Sequence, residues 1–542
     1  VSEYDIIVIG AGAAGGIVAA VLAQAGKTVL LLERGPNLAY ADISRDHLRN
    51  QRLSLYGNNA GPPDGHPRVA AQSDGSFKIL RPNQAGYQNN AAVVGGGTRV
   101  FGAQAWRFMP QDFRMASLYG IPEGSSLADW PIGYDDLEPF YERAEWEIGV
   151  AGDASQHRFE GPRRKPYPMP ATDDTLQRDL LRRGAQKLGI STQPVPMFIN
   201  TVPFNQRAAC VRCGMCNGFA CPTDAKNGTH NTVVPLALAS GRCVLESNAQ
   251  VERVIVDPKG KASGIAYYRA DGSRRTASAK IVVISAGAIE SARLLLNSAT
   301  PEFPHGLGNR HDQVGRNLQG HCYFGAQAIF PERTYDGIGP GPAIATCQWV
   351  HGNRGVIGGA MLANEFIKLP VIFLKGCPPD VPRWGLGAKH WMRDTYCRAI
   401  HVQGPVQEIP SPEGRVTIDP VVRDRFGIPV GRFSGAQHAQ TLHAIGFIHD
   451  RCRDWLLASG AQKIWGSTPA APFLSAGQHQ AGTCRMGADP ATSVCDSYGA
   501  LHGHQNLFVV DSSLHVTNGG FNPALTIMAL AYRSAEQIAR TV

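Results

Sequence analysis

Short, fully apolar runs punctuate the chain near its start, middle and end. Ile6–Ile9 in "YDIIVIGAGAAGG" carries no polar residue, the pattern of a strand covered on both faces in a parallel sheet. A stretch of small residues follows, predicting a closely packed helix, and then a second apolar run at Val29–Leu32. The same succession of strand, glycine turn and helix is read in "KIVVISAGAIESARLLLNS" (280–298). It returns in "NLFVVDSSLHVTNGGFNPALTIMALAYRSAEQIA", whose strand is Leu507–Val510. Between the first two units, residues 243–279 alternate apolar and polar positions, with turn signals at Pro258-Lys259-Gly260 and Asp271-Gly272. These patterns predict an α/β fold.

The first turn has a specific chemistry. Gly10, Gly12 and Gly15 form G-x-G-x-x-G directly after a strand and before a helix. The first glycine makes the tight turn, the second admits a pyrophosphate to the backbone, and the third lets helix and strand pack closely. Glu33 ends the second strand, placed for ribose hydroxyls. Strand–turn–helix units at both ends and in the middle imply one discontinuous, Rossmann-like dinucleotide-binding domain over 1–155, 226–320 and 479–542. The blocks 156–225 and 321–478 are then a substrate domain built on an antiparallel sheet. Residues 57–90, rich in Gly, Pro and Asn, are expected to be a long ordered loop over the nucleotide.

Composition narrows the classes. A chain of 542 residues, 43% hydrophobic and 18% charged, suits a soluble protein with a large core. The net charge of +8 is dispersed, and the densest basic cluster, Arg163-Arg164-Lys165, is too short for a nucleic-acid footprint. No uninterrupted apolar stretch reaches about 18 residues, so no transmembrane segment is expected. Glu3 and Asp5 stand where a signal peptide needs basic residues. The expected location is cytoplasmic as read from this chain, and periplasmic if a partner subunit carries it out.

Together the motifs resemble the glucose–methanol–choline (GMC) oxidoreductases, which bind FAD and oxidise alcohols. The resemblance rests on "DIIVIGAGAAGG", "VVGGGTRVFGAQAWRF" (93–108), "ISAGAIESARLLL", "VGRNLQGH" (314–321), "HQAGTCRMG" (479–487) and "NLFVVDSSLHVTNGGFNPALTIMALA", in family order. Within the family, "RFMPQDFRMASLYG" and "WPIGYDDLEPFYERAEWEIGV" look most like the flavoprotein subunits of bacterial sugar and polyol dehydrogenases. The resemblance assigns Gly10, Gly12, Gly15 and Glu33 to the ADP half of FAD. It sets Gly95, Gly96 and Thr98 against the flavin, Val251 by the adenine, and Asp511 near the diphosphate–ribityl region. Some members tether FAD through a His after the glycine run; Arg99-Val100-Phe101 stand there, implying non-covalent FAD. The implied partners are a sugar or glycoside substrate, a small chaperone-like subunit and a cytochrome c acceptor.

Alcohol oxidation by hydride transfer removes the O–H proton while the C–H hydride moves to the flavin, so a base and a hydrogen-bond donor must meet at one carbon. Imidazole suits the base because its ordinary pKa lies near neutrality. His479 matches the family's catalytic His and Asn522 its partner, which could also cap the final helix ahead of Pro523. His321, His502, His504 and His515 are expected to be structural. Oxygen-using alcohol oxidation and a flavin electron-transfer subunit without its own alcohol site are the alternative functions.

The remaining motif is "RAACVRCGMCNGFACPTDAKNG" (207–228). Cys210, Cys213, Cys216 and Cys221 read C-x2-C-x2-C-x4-C-P, one residue longer than the bacterial ferredoxin run. An iron–sulfur cluster (3Fe-4S or 4Fe-4S), structural thiols or a disulfide, and a tight zinc knuckle are all open on this spacing. Some of the sugar dehydrogenases resembled hold a three-iron cluster in this segment.

Overall fold

The apolar runs become neighbours in one sheet. In the computed structural model, which describes residues 3–42, 61–72, 74–82, 84, 86–87, 91–364, 369–475 and 477–541, Ile6–Ile9 pair in parallel with Val29–Leu32 on one side and Ile281–Ile284 on the other. The parallel order is Cys243–Ser247, Val29–Glu33, Tyr4–Ile9, Arg274–Ile284, Leu507–Val509. Arg274–Ile284 serves two partners. Its first half pairs antiparallel with Ala262–Tyr268, which continues to Gln250–Val256, and its second half joins the parallel strands. Helix Ala13–Gln24 is buried from Ala14 to Ala23 between this sheet and the final helix Ala524–Thr541. Small side chains in the first helix allow that close approach.

A second, antiparallel sheet runs Ala345–Thr346, Leu362–Asn364, Ala399–Gln403, Ala326–Ile329, Lys463–Trp465. Helices Leu176–Leu188 and Ala439–Ala458 contribute to a separate core with it, in which Leu181, Val402, Ile448, Cys452 and Trp455 are fully buried. Each such large apolar side chain contributes roughly 1.5–3 kcal/mol. A three-stranded antiparallel sheet, Val406–Gln407, Gln319–Cys322 and Gln478–Ala481, carries both His321 and His479.

One stretch differs from expectation. Residues 57–60, 73, 83, 85 and 88–90 of the supposed loop lie outside the described residues. Of the rest, Arg68–Ala71 and Phe77–Leu80 form a hairpin instead of a loop. Its turn is made by Asp74, whose carboxylate accepts from Ser76 N at 2.9 Å and Oγ at 2.6 Å, and by Gly75 at φ +81°. The hairpin pairs with Pro429–Ser434, itself paired with Arg415–Arg423. Buried Arg68 ties it down through Glu290 at 2.8 Å and the Tyr87 carbonyl at 2.9 Å. Among the described residues no helix is long and apolar enough to cross a membrane.

Candidate active site

One cavity of about 360 Å³ reaches from the first glycine turn to His479 and Asn522. Gly10, Gly12, Glu33, Gly96, Thr98, Val251 and Asp511 line it as well. At the nucleotide end Gly10 takes φ +105° and its N–H donates to Leu32 O at 2.7 Å. The Glu33 carboxylate accepts from Ala11 N at 3.0 Å and Gly35 N at 2.9 Å, and burial raises its pKa against those bonds. Gly95 and Gly15 do not line the cavity; they shape its wall. Gly95 N donates to Ala11 O at 2.8 Å, bringing the second glycine run against the first. A Cβ on Gly96 would stand 2.9 Å from Gly12 Cα, so the two backbones form a cradle without side chains. Thr98 Oγ1 donates to Gly95 O at 2.6 Å and closes that turn. Asp511 joins two strand–turn–helix units, accepting from Gly287 N at 2.9 Å, Ser291 Oγ at 2.6 Å and Ser513 N at 2.8 Å. A backbone cradle beside a buried acidic residue fits the diphosphate and ribose of FAD.

The other end of the cavity is polar and neutral. Tyr323, Gln403, Gln478, His479, Gln480 and Asn522 line it. His479 stands at φ +56°, where the register between Gln478–Ala481 and Gln319–Cys322 is interrupted. Such a bulge re-aims a side chain, and left-handed backbone on a non-glycine residue costs about 1–3 kcal/mol. Asn518 holds the distortion, its Nδ2 donating to His479 O at 2.8 Å. Asn518 Oδ1 in turn lies 3.0 Å from Nδ1 of the buried His515. The re-aimed ring meets His321, the two Nδ1 atoms 2.9 Å apart.

Asn522 does not cap the final helix. Its Nδ2 lies 3.1 Å from Tyr323 Oη, and its Oδ1 is buried with no hydrogen-bond partner. A buried oxygen without a donor is costly. With the carboxamide turned over, the Tyr323 hydroxyl donates to Oδ1 and Nδ2–H becomes a donor for a substrate oxygen. Tyr323, His321, Asn518 and His515 are absent from the residues singled out by sequence as catalytic. His321 had a signal as the last residue of "VGRNLQGH", and His515 and Asn518 stand within "NLFVVDSSLHVTNGGFNP"; Tyr323 stands in none of the quoted motifs.

The four clustered cysteines form no metal-binding group in this structure. Among the described residues no three His, Cys, Asp or Glu side chains are placed to share a metal ion, and all four cysteines are free thiols. The thiols lie near one another, Cys216 interacting electrostatically with Cys210, Cys213 and Cys221. Cys210 Sγ accepts from Arg212 N at 3.3 Å, Cys221 Sγ lies 3.6 Å from Thr223 Oγ1, and Cys213 is exposed. Burial pushes the Cys216 thiol up to about 12. Left-handed Arg212, Gly214 and Gly218 turn the chain repeatedly through this segment. Buried Lys226 pins the loop by donating to the carbonyls of Phe101, Cys216 and Phe219 at 3.0, 2.7 and 2.8 Å. Protein purified anaerobically is expected to contain flavin without stoichiometric iron, and Cys213→Ser to leave its visible spectrum unchanged. Bound iron with broad cluster absorbance that disappears in Cys213→Ser would reverse this assignment.

A nucleotide cradle at one end of a cavity and an imidazole beside a carboxamide at the other suit redox chemistry on an alcohol, which makes the protein a dinucleotide-dependent oxidoreductase. Sequence comparison supplies the family: models described as GMC oxidoreductase match residues 4–323 and 410–531, and the chain belongs to the GMC oxidoreductases, flavoenzymes with FAD as cofactor that act on CH–OH groups. It is 28% identical to the fructose dehydrogenase large subunit of Gluconobacter japonicus, over 98% of this chain and 97% of that one. It is also 28% identical to the 6'''-hydroxyparomomycin C oxidase of Streptomyces lividus, over 99% and 91%. The solved structure of pyridoxine 4-oxidase from Mesorbium loti superposes with a TM-score of 0.64 at 17% identity, covering 99% of both chains.

Proposed function

We propose that the protein is an FAD-dependent dehydrogenase that oxidises a hydroxyl of a neutral sugar, glycoside or polyol to a carbonyl. The observation that carries this reading is the grouping of His479, Asn522, Tyr323 and three glutamines at one end of a cavity whose other end is the nucleotide turn. His479 takes the hydroxyl proton as the C–H bond breaks. Asn522, turned by Tyr323, donates to the oxygen as alkoxide character develops. When bound, FAD, held non-covalently, supplies the two-electron acceptor for the hydride. Electrons then leave to an external acceptor such as a cytochrome c subunit, with no step routed through the cysteine loop.

Amides and a phenol can hydrogen-bond several hydroxyls at once, but they offer no countercharge. Among the described residues the charged side chains that line the cavity, Glu33, Arg34, Glu252, Glu290, Arg293 and Asp511, belong to the stretches that build the nucleotide end. Burying an unpaired charge beside Gln403 or Gln478 is costly. Neutral sugars and polyols are therefore expected to exceed gluconate and glucosamine in kcat/KM by at least about 10-fold, or ~1.4 kcal/mol. A panel of D-fructose, D-glucose, D-sorbitol, gluconate and glucosamine, assayed anaerobically with an artificial acceptor, tests this; preference for a charged member would overturn it.

Oxygen-using oxidation is the second reading, supported by the resemblance to an oxidase over nearly the whole chain. Peroxide formed in air at the rate seen with the artificial acceptor would favour it over the dehydrogenase.

A further inference from the structure

We infer that His321 is a positioning residue that sets the tautomer of His479, so that the nitrogen offered to the substrate is proton-free. The inference rests on the proposed role of His479 as base, and it follows from a chain of hydrogen bonds with a forced direction. His321 Nε2 lies 2.8 Å from Gly519 O, and a carbonyl only accepts, so Nε2 carries a hydrogen. The ring is fully buried, and desolvation lowers its pKa to about 4. At neutral pH it is uncharged, and its Nδ1 is therefore a lone pair. That lone pair faces His479 Nδ1 at 2.9 Å, which makes His479 the donor. With hydrogen on Nδ1, neutral His479 has its lone pair at Nε2, the form a base requires. The second ring nitrogen of a histidine is set by the bond the first one makes.

The same geometry defines what His321 does during turnover. When His479 accepts the substrate proton at Nε2 it becomes a cation, and its bond to the His321 lone pair becomes charge-assisted and stronger. His321 cannot pass a proton onward, because its only hydrogen is committed to Gly519 O. The proton is thereby kept at Nε2, on the cavity side. The other groups near the pair are Tyr323, whose ring centroid is 6.0 Å from that of His479, the His515 ring, which burial lowers to about 4, and Asp112, which acts weakly on His321.

Two substitutions separate this role from simple packing. His321→Asn keeps an acceptor where Nδ1 was and loses the donor to Gly519. His321→Gln keeps a donor where Nε2 was and loses the acceptor. In the holoenzyme, His321→Asn is expected to reduce flavin within about 3-fold of wild type, and His321→Gln about 10- to 100-fold more slowly, a share of general-base catalysis. Independently of turnover, the pH dependence of diethyl pyrocarbonate labelling at His479, read by peptide mass spectrometry, reports its protonation. A bond that favours the cation raises the pKa. Its loss in His321→Gln is therefore expected to move the labelling curve, and the acidic limb of the rate profile, to lower pH by about 0.5–1. An Asn variant slower than the Gln variant, or a Gln variant with the wild-type labelling curve, would sink the inference. Failure of every panel sugar to reduce wild-type flavin would overturn the proposed function instead, and the labelling curves would still decide the role of His321.

Discussion

Replacing His479 by alanine is expected to slow substrate-driven flavin reduction by about 10²–10⁴-fold, the usual share of a general base. This corresponds to roughly 2.7–5.5 kcal/mol of barrier. Flavin content should remain at the wild-type level, because the nucleotide cradle is formed by Gly10, Gly12 and Gly96, in other segments of the chain. His479 is only half-buried, and alanine relieves none of the backbone distortion that Asn518 holds. Folding should therefore change little. Anaerobic stopped-flow bleaching of the flavin by the preferred panel sugar checks the rate, and the ratio of flavin to protein absorbance checks cofactor retention. A folded, flavin-loaded variant that bleaches at the wild-type rate would remove His479 from the mechanism. It would leave a flavin carrier reduced by some other route.

Gly15→Ala is expected to abolish cofactor retention. An ideal Cβ at this position would stand 1.8 Å from Gly10 O and 3.0 Å from Gly10 C. The obstacle is backbone, and Gly10 is itself held by its bond to Leu32 O. The helix Ala13–Gln24 would have to move away from its strand, opening the turn that receives the diphosphate. A cost of at least about 3 kcal/mol is expected. Gly26→Ala makes the control. That glycine has positive φ, +81°, and no neighbour within 4 Å, so only local strain of about 1–2 kcal/mol applies. Thermal unfolding and flavin content compare the two directly. Equal flavin content in both variants would show that the close packing of helix on strand does not govern cofactor binding.

The parts of the fold that were legible are those carried by local patterns. Apolar runs at Ile6–Ile9, Val29–Leu32 and Leu507–Val510 imply buried parallel strands, since such strands have no polar face to show. G-x-G-x-x-G is readable from its fixed spacing in one strand–turn–helix unit, in which Gly15 packs against Gly10; the neighbours of Gly10 and Gly12, Ser285 and Gly96, are distant in sequence. The hairpin at 68–80 was missed because its Asp74-Gly75 turn sits in a stretch rich in turn formers, and its pairing partner lies beyond residue 428. The cysteine segment stayed open because spacing alone does not say what the sulfur atoms bind. Among the described residues they form no metal-binding group, although Cys216 interacts electrostatically with the other three.

The candidate site divides along the same line. Linear motifs were enough to mark His479, Asn522, Glu33 and the glycines, because each stands in a recognisable tract. Nothing in those tracts announces that His321, 158 positions earlier, would meet His479, or that Tyr323 would reach Asn522. Those encounters depend on a bulge between two short strands and on the way the C-terminal loop packs beneath them. Sequence order thus determined the class of fold and the nucleotide turn, and it marked His479 as the candidate base. In the mechanism we propose, which nitrogen of that imidazole is free of a proton, and which atom of the carboxamide is a donor, depends on hydrogen bonds between distant segments, because the direction of such a bond depends on both partners.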